Sequence, residues 1–388
     1  MKARTAVYVS LGVAALSVAM WQFRWLPLSF PNPVWLAGAT DDARLQGRIT
    51  LPAGYRISIF ADKLDGVRVM QFAPGGGIYV SVPGAGEIRL VAGAGAGARS
   101  KDTATVARRL RKPHGLAADG TVLYVAEEQQ ITAFDIDPKT GQLANRRVVA
   151  GVLPHDGGHS TRTIARGPDG WFYIAVGSSC NVCEEKNPWR AALLRFRPGG
   201  RLEVYARGLR NTVGFDWQPG SNALYGVDNG RDWLGDDFPP DELNRIVRGG
   251  HYGWPYFNGA NKPDPELGTT PAAHAVTPLA PAYAFGAHTA PLSIRFLRNS
   301  RDPALKGSAL VAQHGSWNRS KKAGYALVSL HWGDDGKITA RPFAAGFEID
   351  DQVIGRPVDI IEAADGTIYV SDDFAGRIYR ISYDPAAS

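Results

Sequence analysis

The chain has 388 residues, a net charge of +6, 44% hydrophobic side chains, 21% charged side chains and two cysteines. This charge and apolar content exclude an intrinsically disordered protein, and two cysteines are too few for a disulfide scaffold. The 45 glycines and 26 prolines indicate many turns between short strands. The basic residues form no stripe interleaved with aromatic residues, so we expect no nucleic-acid partner.

The amino terminus is typical of an export or anchoring segment. Lys2 and Arg4 precede an uncharged stretch over residues 5–21, which fits a secretory signal peptide and also the lower limit of a membrane span. We therefore predict a signal peptide or membrane anchor over residues 1–30 and a linker over 31–48, with membrane contact only through the N-terminal segment. The body would be periplasmic, secreted or anchored to the inner membrane by its N-terminus.

One pattern recurs six times in the rest of the chain. Each copy combines a strand, a turn rich in Gly, Pro or Asp, and an alternating β-branched and aromatic strand, which is a hairpin signature. The second strands are marked by Ile78, Leu123, Phe172, Leu224, Leu310 and Ile368, spaced by 45, 49, 52, 86 and 58 residues. Propeller blades repeat every ~40–50 residues, and longer spacings indicate inserted loops. We predict an all-β fold, a six-bladed β-propeller over residues 49–388, closed by a strand at residues 55–60 that joins the last blade.

Cys180 and Cys183 form an isolated CxxC motif. A structural zinc site needs two further ligands, and haem attachment needs His where Glu184 stands. A thioredoxin-like motif would require a βαβ context. The pattern favours a short disulfide that stiffens a loop.

Polar residues occupy equivalent positions before several repeats, where the innermost strands of a propeller begin. These residues are His114, His159, Arg162, Arg210, Asn211 and Arg356. A scaffold does not require His or Arg at corresponding places on different blades, so we predict that these six residues converge on the mouth of the central channel. The alternative for His114 is a structural role, because a single buried His is also common in protein cores. With Arg319 from an inserted loop, Arg210 and Arg356 favour an anionic planar ligand, because guanidinium groups pair bidentately with carboxylates.

Four segments carry a resemblance to a known family. They are residues 176–183 (VGSSCNVC), 231–243 (RDWLGDDFPPDEL), 249–255 (GGHYGWP) and 314–319 (HGSWNR). The chain resembles the sorbosone dehydrogenase-like branch of the pyrroloquinoline quinone (PQQ)-dependent sugar dehydrogenases over residues 51–383. The resemblance implies a six-bladed propeller, in agreement with the repeat count.

The resemblance also implies roles for matching residues. His159 would be the catalytic base that takes a proton from a sugar hydroxyl, with an imidazole pKa near 6.5. Arg210 and Asn211 would contact the quinone oxygens, where Arg210 stabilises developing charge. With His114 and Arg162 from the same mouth, the predicted cofactor-binding residues are His114, Arg162, Arg210, Asn211, Trp317, Arg319 and Arg356. Of these, Arg319 and Arg356 would bind cofactor carboxylates. Trp317 would cover the cofactor face, and the alternative is an indole packed within its loop.

The acidic loop is the predicted metal site. By resemblance, carbonyls around Asp236 and Asp237 hold a catalytic Ca²⁺, although glucose-oxidising relatives have Gly-Pro there. Asp241, Glu242 and the Tyr252 carbonyl would hold a second, structural ion. Ca²⁺ takes six to eight oxygen ligands and can polarise a bound quinone. The alternative is a solvated acidic turn.

These features predict a PQQ-dependent oxidoreductase that oxidises an aldose, a sorbosone-like sugar aldehyde or a related polyol by hydride transfer to the quinone. Its expected partners are this small-molecule substrate and an electron acceptor, a quinone or a cytochrome. Two alternatives share the fold: a calcium-dependent lactonase-type hydrolase and a noncatalytic ligand-binding propeller. Fold alone does not separate them.

Overall fold

The computed structural model describes residues 41–93, 99–100 and 102–387. These residues form six four-stranded antiparallel sheets, the blades of a propeller. Blade 1 contains β2 (Met70–Ala73), β3 (Gly77–Val82), β4 (Glu87–Val91) and β5 (Thr103–Ala107). Blade 2 contains β6 (Gly115–Asp119), β7 (Val122–Ala126), β8 (Gln130–Ile136) and β9 (Leu143–Gly151). Blade 3 contains β10 (Ile164–Arg166), β11 (Phe172–Val176), β12 (Ala192–Phe196) and β13 (Glu203–Arg207).

The remaining blades carry the longer insertions. Blade 4 contains β14 (Thr212–Trp217), β15 (Leu224–Asp228), β16 (Pro240–Ile246) and β19 (Tyr283–Ala287). Between β16 and β19 the chain forms a hairpin of β17 (Phe257–Asn258) and β18 (Lys262–Pro263), followed by a short helix (Pro271–His274). Blade 5 contains β20 (Pro291–Phe296), β21 (Ala309–Gln313), β22 (Ala326–Trp332) and β23 (Ile338–Ala344). A second hairpin, β24 (Glu348–Ile349) and β25 (Gln352–Val353), leads to blade 6, which contains β26 (Pro357–Glu362), β27 (Ile368–Asp372), β28 (Arg377–Tyr383) and β1 (Tyr55–Ala61).

The six-bladed prediction is confirmed. Each of the six landmark residues lies in the second strand of its own blade, so the sequence period and the blade period are the same. The predicted closing strand is β1, which pairs antiparallel with β28 from Tyr55↔Tyr383 onward. Closure in this way joins the first described strand to the last and covers the edge of β28, with β1 as the outermost strand of blade 6.

The hydrophobic core is divided among the interfaces between blades. In the described part of the chain, six clusters of buried apolar side chains each lie between two neighbouring blades; one example packs Ile78 of blade 1 against Tyr369 of blade 6. Each fully buried Leu, Ile or Phe contributes about 1.5–3 kcal/mol of transfer free energy. The propeller axis is left open, and the first strands of all six blades line a central channel of about 590 Å³.

The end of the predicted linker is folded. Residues 42–48 form a helix, α1 (Asp42–Arg48), whose N-terminus is capped by Asp41, and its Leu45 is fully buried between blades 5 and 6. The predicted signal or anchor over residues 1–30 lies outside the described residues. Among the helices that the structure describes, none has the length and apolar character needed to cross a membrane.

Candidate active site

The residues that precede the innermost strands share one mouth of the channel. Arg68, His114, Arg162, Arg210 and Arg356 stand one or two positions before β2, β6, β10, β14 and β26. Since these five strands run in the same direction along the axis, their starting ends lie together. The charges of Arg68 and Arg162 both act on His114, which places three blades around one point.

His159 lies on the loop before β10 with its tautomer set by hydrogen bonds. Its Nδ1 lies 2.9 Å from the Ser178 carbonyl oxygen and 3.0 Å from Ser178 Oγ, and that hydroxyl itself donates to the Cys180 carbonyl. A carbonyl only accepts, so Nδ1 carries the proton and Nε2 carries the lone pair. Among the described residues, Nε2 has no hydrogen-bond partner. The ring therefore presents a proton acceptor.

The electrostatic surroundings of His159 differ from the sequence-based expectation. Burial, followed by the positive charge of Arg210, lowers the pKa of His159 to about 4, where an unperturbed imidazole near 6.5 was expected. Both effects disfavour the imidazolium form. The ring is neutral, and so able to accept a proton, throughout the neutral pH range.

Gly177 places Asn211 beside His159. A Cβ on Gly177 would lie 2.6 Å from Asn211 Oδ1 and 2.7 Å from His159 Cβ, so both side chains pack closely against this glycine. The backbone N–H of Asn211 donates to Asp228 Oδ1 at 2.7 Å, which fixes the loop that carries it. The structure thus brings together the predicted base and the predicted amide.

Arg210 is 6% exposed and joins two loops of this wall. Its guanidinium donates to the carbonyl oxygen of Asn181 at 3.1 Å and to its Oδ1 at 2.9 Å, to the carbonyls of Asn229 and Gly230, and to Asp232 Oδ2 at 3.1 Å. In the structure a disulfide joins Cys180 to Cys183 around Asn181. The short disulfide loop therefore holds Arg210 next to the His159–Asn211 pair.

Arg356 forms the opposite wall with a second histidine. Its Nε donates to the His314 carbonyl at 3.1 Å and its Nη2 to the Gly315 carbonyl at 2.6 Å, while Nη1 has no acceptor among the described residues. His314 Nε2 lies 2.8 Å from Asp373 Oδ1, and Asp373 also pairs with Arg68 at 2.6 Å. Burial lowers the pKa of His314 to about 4. Burial alone would raise the pKa of Asp373, but His314 and Arg68 hold it well below its usual range.

Two predicted cofactor ligands lie deeper in the wall. Arg162 is fully buried and its Nη1 donates to the carbonyls of His159 at 3.0 Å and Thr161 at 2.7 Å. This placement argues against a direct cofactor contact for Arg162. His114 is 2% exposed, and neither of its ring nitrogens has a partner in the described part of the chain. It lines both the central channel and a smaller cavity of about 160 Å³ at the mouth.

Arg319 forms hydrogen bonds with the loop residues Asp236 and Asp237. Arg319 donates to the Asp236 carbonyl at 2.9 Å and to Asp237 Oδ1 at 2.6 Å, and the Asp236 carboxylate accepts from Ser320. Among the described residues, Arg319 shares no hydrogen-bond partner with Arg210 or Arg356. The Arg319 guanidinium is therefore engaged by the acidic loop, and it donates to the carbonyl of Asp236, one of those predicted for the catalytic ion.

Trp317 stands at the rim of the same loop. It is 47% exposed and packs edge-on against Trp233, with ring centroids 5.4 Å apart. The adjacent Asn318 donates to Asp232 Oδ1 at 2.6 Å, which connects this rim to the Arg210 network. Trp317 therefore lies beside the mouth.

Glu242 and Tyr252 line a small cavity with Asp228, whereas Asp241 does not. Asp241 is 3% exposed, and its carboxylate accepts from the N–H groups of Gly230 and Ala290 and from Thr289 Oγ1, which makes it a connector of loops. The cavity has a volume of about 20 Å³. Burial, followed by the charge of Asp228, raises the pKa of Glu242 to about 8, and burial raises the pKa of Asp228 to about 7. Asp228 and Glu242 bring two buried carboxyl groups to a cavity that Arg210 and Arg231 also line, and carboxylate oxygens are ligands that suit a cation such as Ca²⁺.

Several residues of the site were missed by the sequence analysis. Arg68 precedes the first repeat just as His114 and Arg356 precede theirs, so the same positional rule identifies it. His314, Asp373 and Gly177 each follow the end of a second strand, β21, β27 or β11, and these ends reach the same mouth. A search at both sides of every hairpin would have found them.

Comparison with known proteins identifies the family. The family described as glucose/sorbosone dehydrogenase matches residues 185–380, and a family described as TrAA12-like matches residues 49–244. An uncharacterized protein of Borreliella burgdorferi is 35% identical over 301 residues, which are 72% of this chain and 78% of that protein.

Solved structures share the fold at lower identity. The calcium structure of Trichoderma reesei Carbohydrate-Active Enzymes Family AA12 has a TM-score of 0.77 at 21% identity, over 91% of this chain and 99% of that chain. The holo form of the pyranose dehydrogenase PQQ domain from Coprinopsis cinerea has a TM-score of 0.73 at 21% identity, over 90% of this chain and 100% of that chain. The repeat architecture, the residues at the channel mouth and the match over the C-terminal half agree: the chain belongs to the glucose/sorbosone dehydrogenase family.

Proposed function

We propose that the protein is a PQQ-dependent oxidoreductase that oxidises an aldose, a sorbosone-like sugar aldehyde or a related polyol. The observation that carries the proposal is the neutral imidazole of His159, whose Nε2 has no partner among the residues that the structure describes, beside Asn211 and the buried cation of Arg210. A base and a fixed positive charge at one channel mouth fit the removal of a hydroxyl proton with concurrent transfer of electrons to a bound acceptor.

The residues of the mouth suit an anionic, planar cofactor. Arg68 and Arg356 bring two guanidinium groups to the mouth, and Nη1 of Arg356, which has no acceptor among the described residues, is available for a carboxylate. Arg210 adds a buried positive charge, but its five N–H groups are taken by protein acceptors, so it acts through its charge and makes no direct contact of the predicted kind with the quinone oxygens. Within the described ranges the buried ring nitrogens of His114 have no partner, and they mark a further polar position where the smaller cavity meets the channel. PQQ carries three carboxylates on a flat ring system, so charge and shape are complementary to this donor set. The relative in the Coprinopsis cinerea comparison is a PQQ domain, which supports the same choice.

The chain's own residues then have separate tasks. Bound PQQ would supply the two-electron acceptor. His159 Nε2 takes the proton of the substrate hydroxyl, while the hydrogen bond from Nδ1 to the Ser178 carbonyl keeps the ring oriented. Arg210 stabilises negative charge that develops near Asn211, and its buried position makes that interaction stronger than in water. Arg356 and Arg68 anchor carboxylates on the opposite wall.

A Ca²⁺ ion would bind at the cavity lined by Asp228, Glu242 and Tyr252. The carboxylates of Asp228 and Glu242 and the Tyr252 carbonyl would be its ligands, and the ion would neutralise two carboxyl groups that burial otherwise keeps protonated. This assignment keeps Glu242 and Tyr252 from the sequence prediction and replaces Asp241 with Asp228. The expected electron acceptor, a quinone or a cytochrome, and the periplasmic, secreted or anchored location are part of the same proposal.

Reconstitution tests the proposal. Purified protein is mixed with PQQ and CaCl₂, cofactor binding is followed by absorbance, and reduction of an artificial electron-accepting dye is measured with a panel of aldoses, sugar aldehydes and polyols. We expect saturable cofactor binding and dye reduction with at least one substrate class. No spectral change and no dye reduction at any Ca²⁺ concentration would refute the proposal, and hydrolysis of a lactone panel under those conditions would indicate the lactonase alternative.

A pair of histidine variants separates catalysis from binding. His159→Gln should retain PQQ binding and lose at least about 100-fold in kcat, because it removes the general base. His155→Gln is the matched control, since His155 is an exposed histidine on the same loop. If His159→Gln loses binding and rate in equal measure, His159 is a structural ligand.

A further inference from the structure

A second buried guanidinium, that of Arg190, contacts the backbone around His159. Arg190 stands just before β12, and its side chain is 1% exposed. Its Nη1 donates to the His159 carbonyl at 3.0 Å and to the Gly177 carbonyl at 3.2 Å, and its Nη2 donates to the Asp156 carbonyl. One side chain thus connects the loop that carries the base to the glycine over which His159 and Asn211 meet.

This guanidinium carries a charge that little in its surroundings neutralises. Within the described part of the chain its one ion pair is with Asp156, at 3.5 Å, and the Asp156 side chain is 92% exposed. Arg190 Nε has no partner among the described residues. Arg162, also buried, donates to the same His159 carbonyl at 3.0 Å. Burying a cation without a buried counter-charge is costly, and an apolar side chain of similar size would fill the space at lower cost.

We propose that Arg190 is a positioning residue for His159, whose guanidinium fixes the His159 and Gly177 carbonyls relative to each other and keeps a buried positive charge beside the imidazole. This inference rests on the proposed function, in which His159 is the base. Arg190 reaches the ring only through the backbone and through its charge.

The two effects of Arg190 act in the same direction. The carbonyl contacts hold His159 Nε2 at one position over Gly177, which favours proton transfer because misplacement by about 1 Å can cost ~100-fold in rate. The charge contributes to the low pKa of His159, after burial and Arg210 and together with Arg162, and so favours the neutral, proton-accepting ring. Arg210, Arg190 and Arg162 are the charged groups that act on this imidazole, and all three are cations.

The first test uses protein without cofactor, so it is independent of the proposed activity. The histidines are labelled with ¹³C, the His159 ring signal is assigned by its loss in His159→Gln, and its titration is followed by NMR in wild type, Arg190→Gln and Arg190→Lys. We expect the His159 midpoint to move to higher pH in Arg190→Gln, which lacks the charge, and to stay near wild type in Arg190→Lys, which keeps it. Arg201→Gln is the matched control, because it removes an equal charge from an exposed arginine.

The second test uses the reconstituted enzyme. Both Arg190 variants should lose about 10- to 100-fold in kcat with little change in KM, because neither side chain can bridge the two carbonyls in the same geometry. In Arg190→Gln the acidic limb of the pH profile of kcat/KM should also move to higher pH. If wild type shows no PQQ-dependent turnover, the proposed function fails while the NMR titration still tests the effect of Arg190 on His159.

The inference is overturned if the His159 titration in Arg190→Gln coincides with that in Arg201→Gln. If Arg190→Gln does not fold, Arg190→Lys alone decides: wild-type kcat in a folded Arg190→Lys enzyme would show that bridging the carbonyls has no role. A loss of kcat with matching loss of thermal stability and unchanged titration in both variants would reduce Arg190 to a structural residue.

Discussion

Asn181→Ala removes the polar side chain at the centre of the disulfide loop, and its effect can be worked out from three hydrogen bonds. Asn181 Oδ1 accepts from Arg210 at 2.9 Å and from the Asp232 N–H at 2.8 Å, and its Nδ2 donates to the Asp232 carbonyl at 3.1 Å. The bond to a charged group is worth about 1.5–3 kcal/mol and each of the others about 1 kcal/mol, for an upper bound of about 5 kcal/mol. Because Asn181 is partly exposed, water replaces some of these bonds, and we expect a loss of about 2 kcal/mol in the free energy of unfolding.

Urea unfolding of the apo protein measures this loss, and dye reduction of the PQQ-loaded enzyme measures the effect on Arg210. We expect a lower unfolding midpoint at unchanged slope and about 10-fold lower kcat, because Arg210 keeps its backbone contacts but loses part of its orientation. Asn187→Ala is the matched control, since the exposed Asn187 on the same loop makes one local hydrogen bond to Trp189. If Asn181→Ala matches Asn187→Ala in both midpoint and kcat, the loop does not position Arg210.

Three further predictions concern the mouth and its surroundings. Gly177→Ala places a Cβ within 2.7 Å of His159 and Asn211. We therefore expect kcat to fall at least about 10-fold while titration with PQQ still shows binding. An unchanged kcat would contradict the close approach of the two side chains to Gly177. A carboxyl whose pKa is raised to about 8 destabilises the fold as pH rises from about 4.5 to 8, so Glu242→Gln should stabilise the Ca²⁺-free protein at pH 8. The same variant should abolish the rise in Tm on adding Ca²⁺, because it removes a ligand. An undiminished Ca²⁺ response places the ion elsewhere. Burial lowers the pKa of His114 to about 3, so below pH 6.5 the unfolded state binds a proton that the folded state does not. The free energy of unfolding, measured with urea, should therefore fall from pH 7 to pH 5 in both proteins, and the fall should be about 2 kcal/mol smaller in His114→Gln than in wild type. Equal falls would contradict the burial of His114.

The fold was predictable because its determinants are local. Each hairpin carries its own turn residues and alternating strand, so six copies give the blade number without any knowledge of long-range contacts. The closing strand was predictable for the related reason that a strand ahead of the first repeat has one natural partner, the open edge of the last blade. The helix α1 was missed because Leu45 is anchored by residues of blades 5 and 6 that are distant in sequence.

The site was predictable in position and less so in contacts. The rule that residues before first strands share a mouth located His159, Arg210 and Arg356. Whether an arginine faces a ligand depends on which acceptors the folded chain brings to it. Arg356 Nη1 has no acceptor in the part of the chain that the structure describes, whereas Arg319 donates to Asp236 and Asp237 of the acidic loop. The low pKa of His159 depends on burial and on Arg210, which lies on the next blade, and neither can be read from the residues around His159.

The pairing of β1 with β28 also constrains how the protein can be made. During synthesis β1 leaves the ribosome before every other described strand, whereas its partner β28 is the last of the described strands to appear. At about 5–20 residues per second, β1 remains without its partner for tens of seconds, a period in which an unpaired strand can pair with another chain. Completion of the ring therefore waits until β28 has been made, and deletion of β1 should leave five four-stranded blades and one three-stranded blade whose β28 has an uncovered edge.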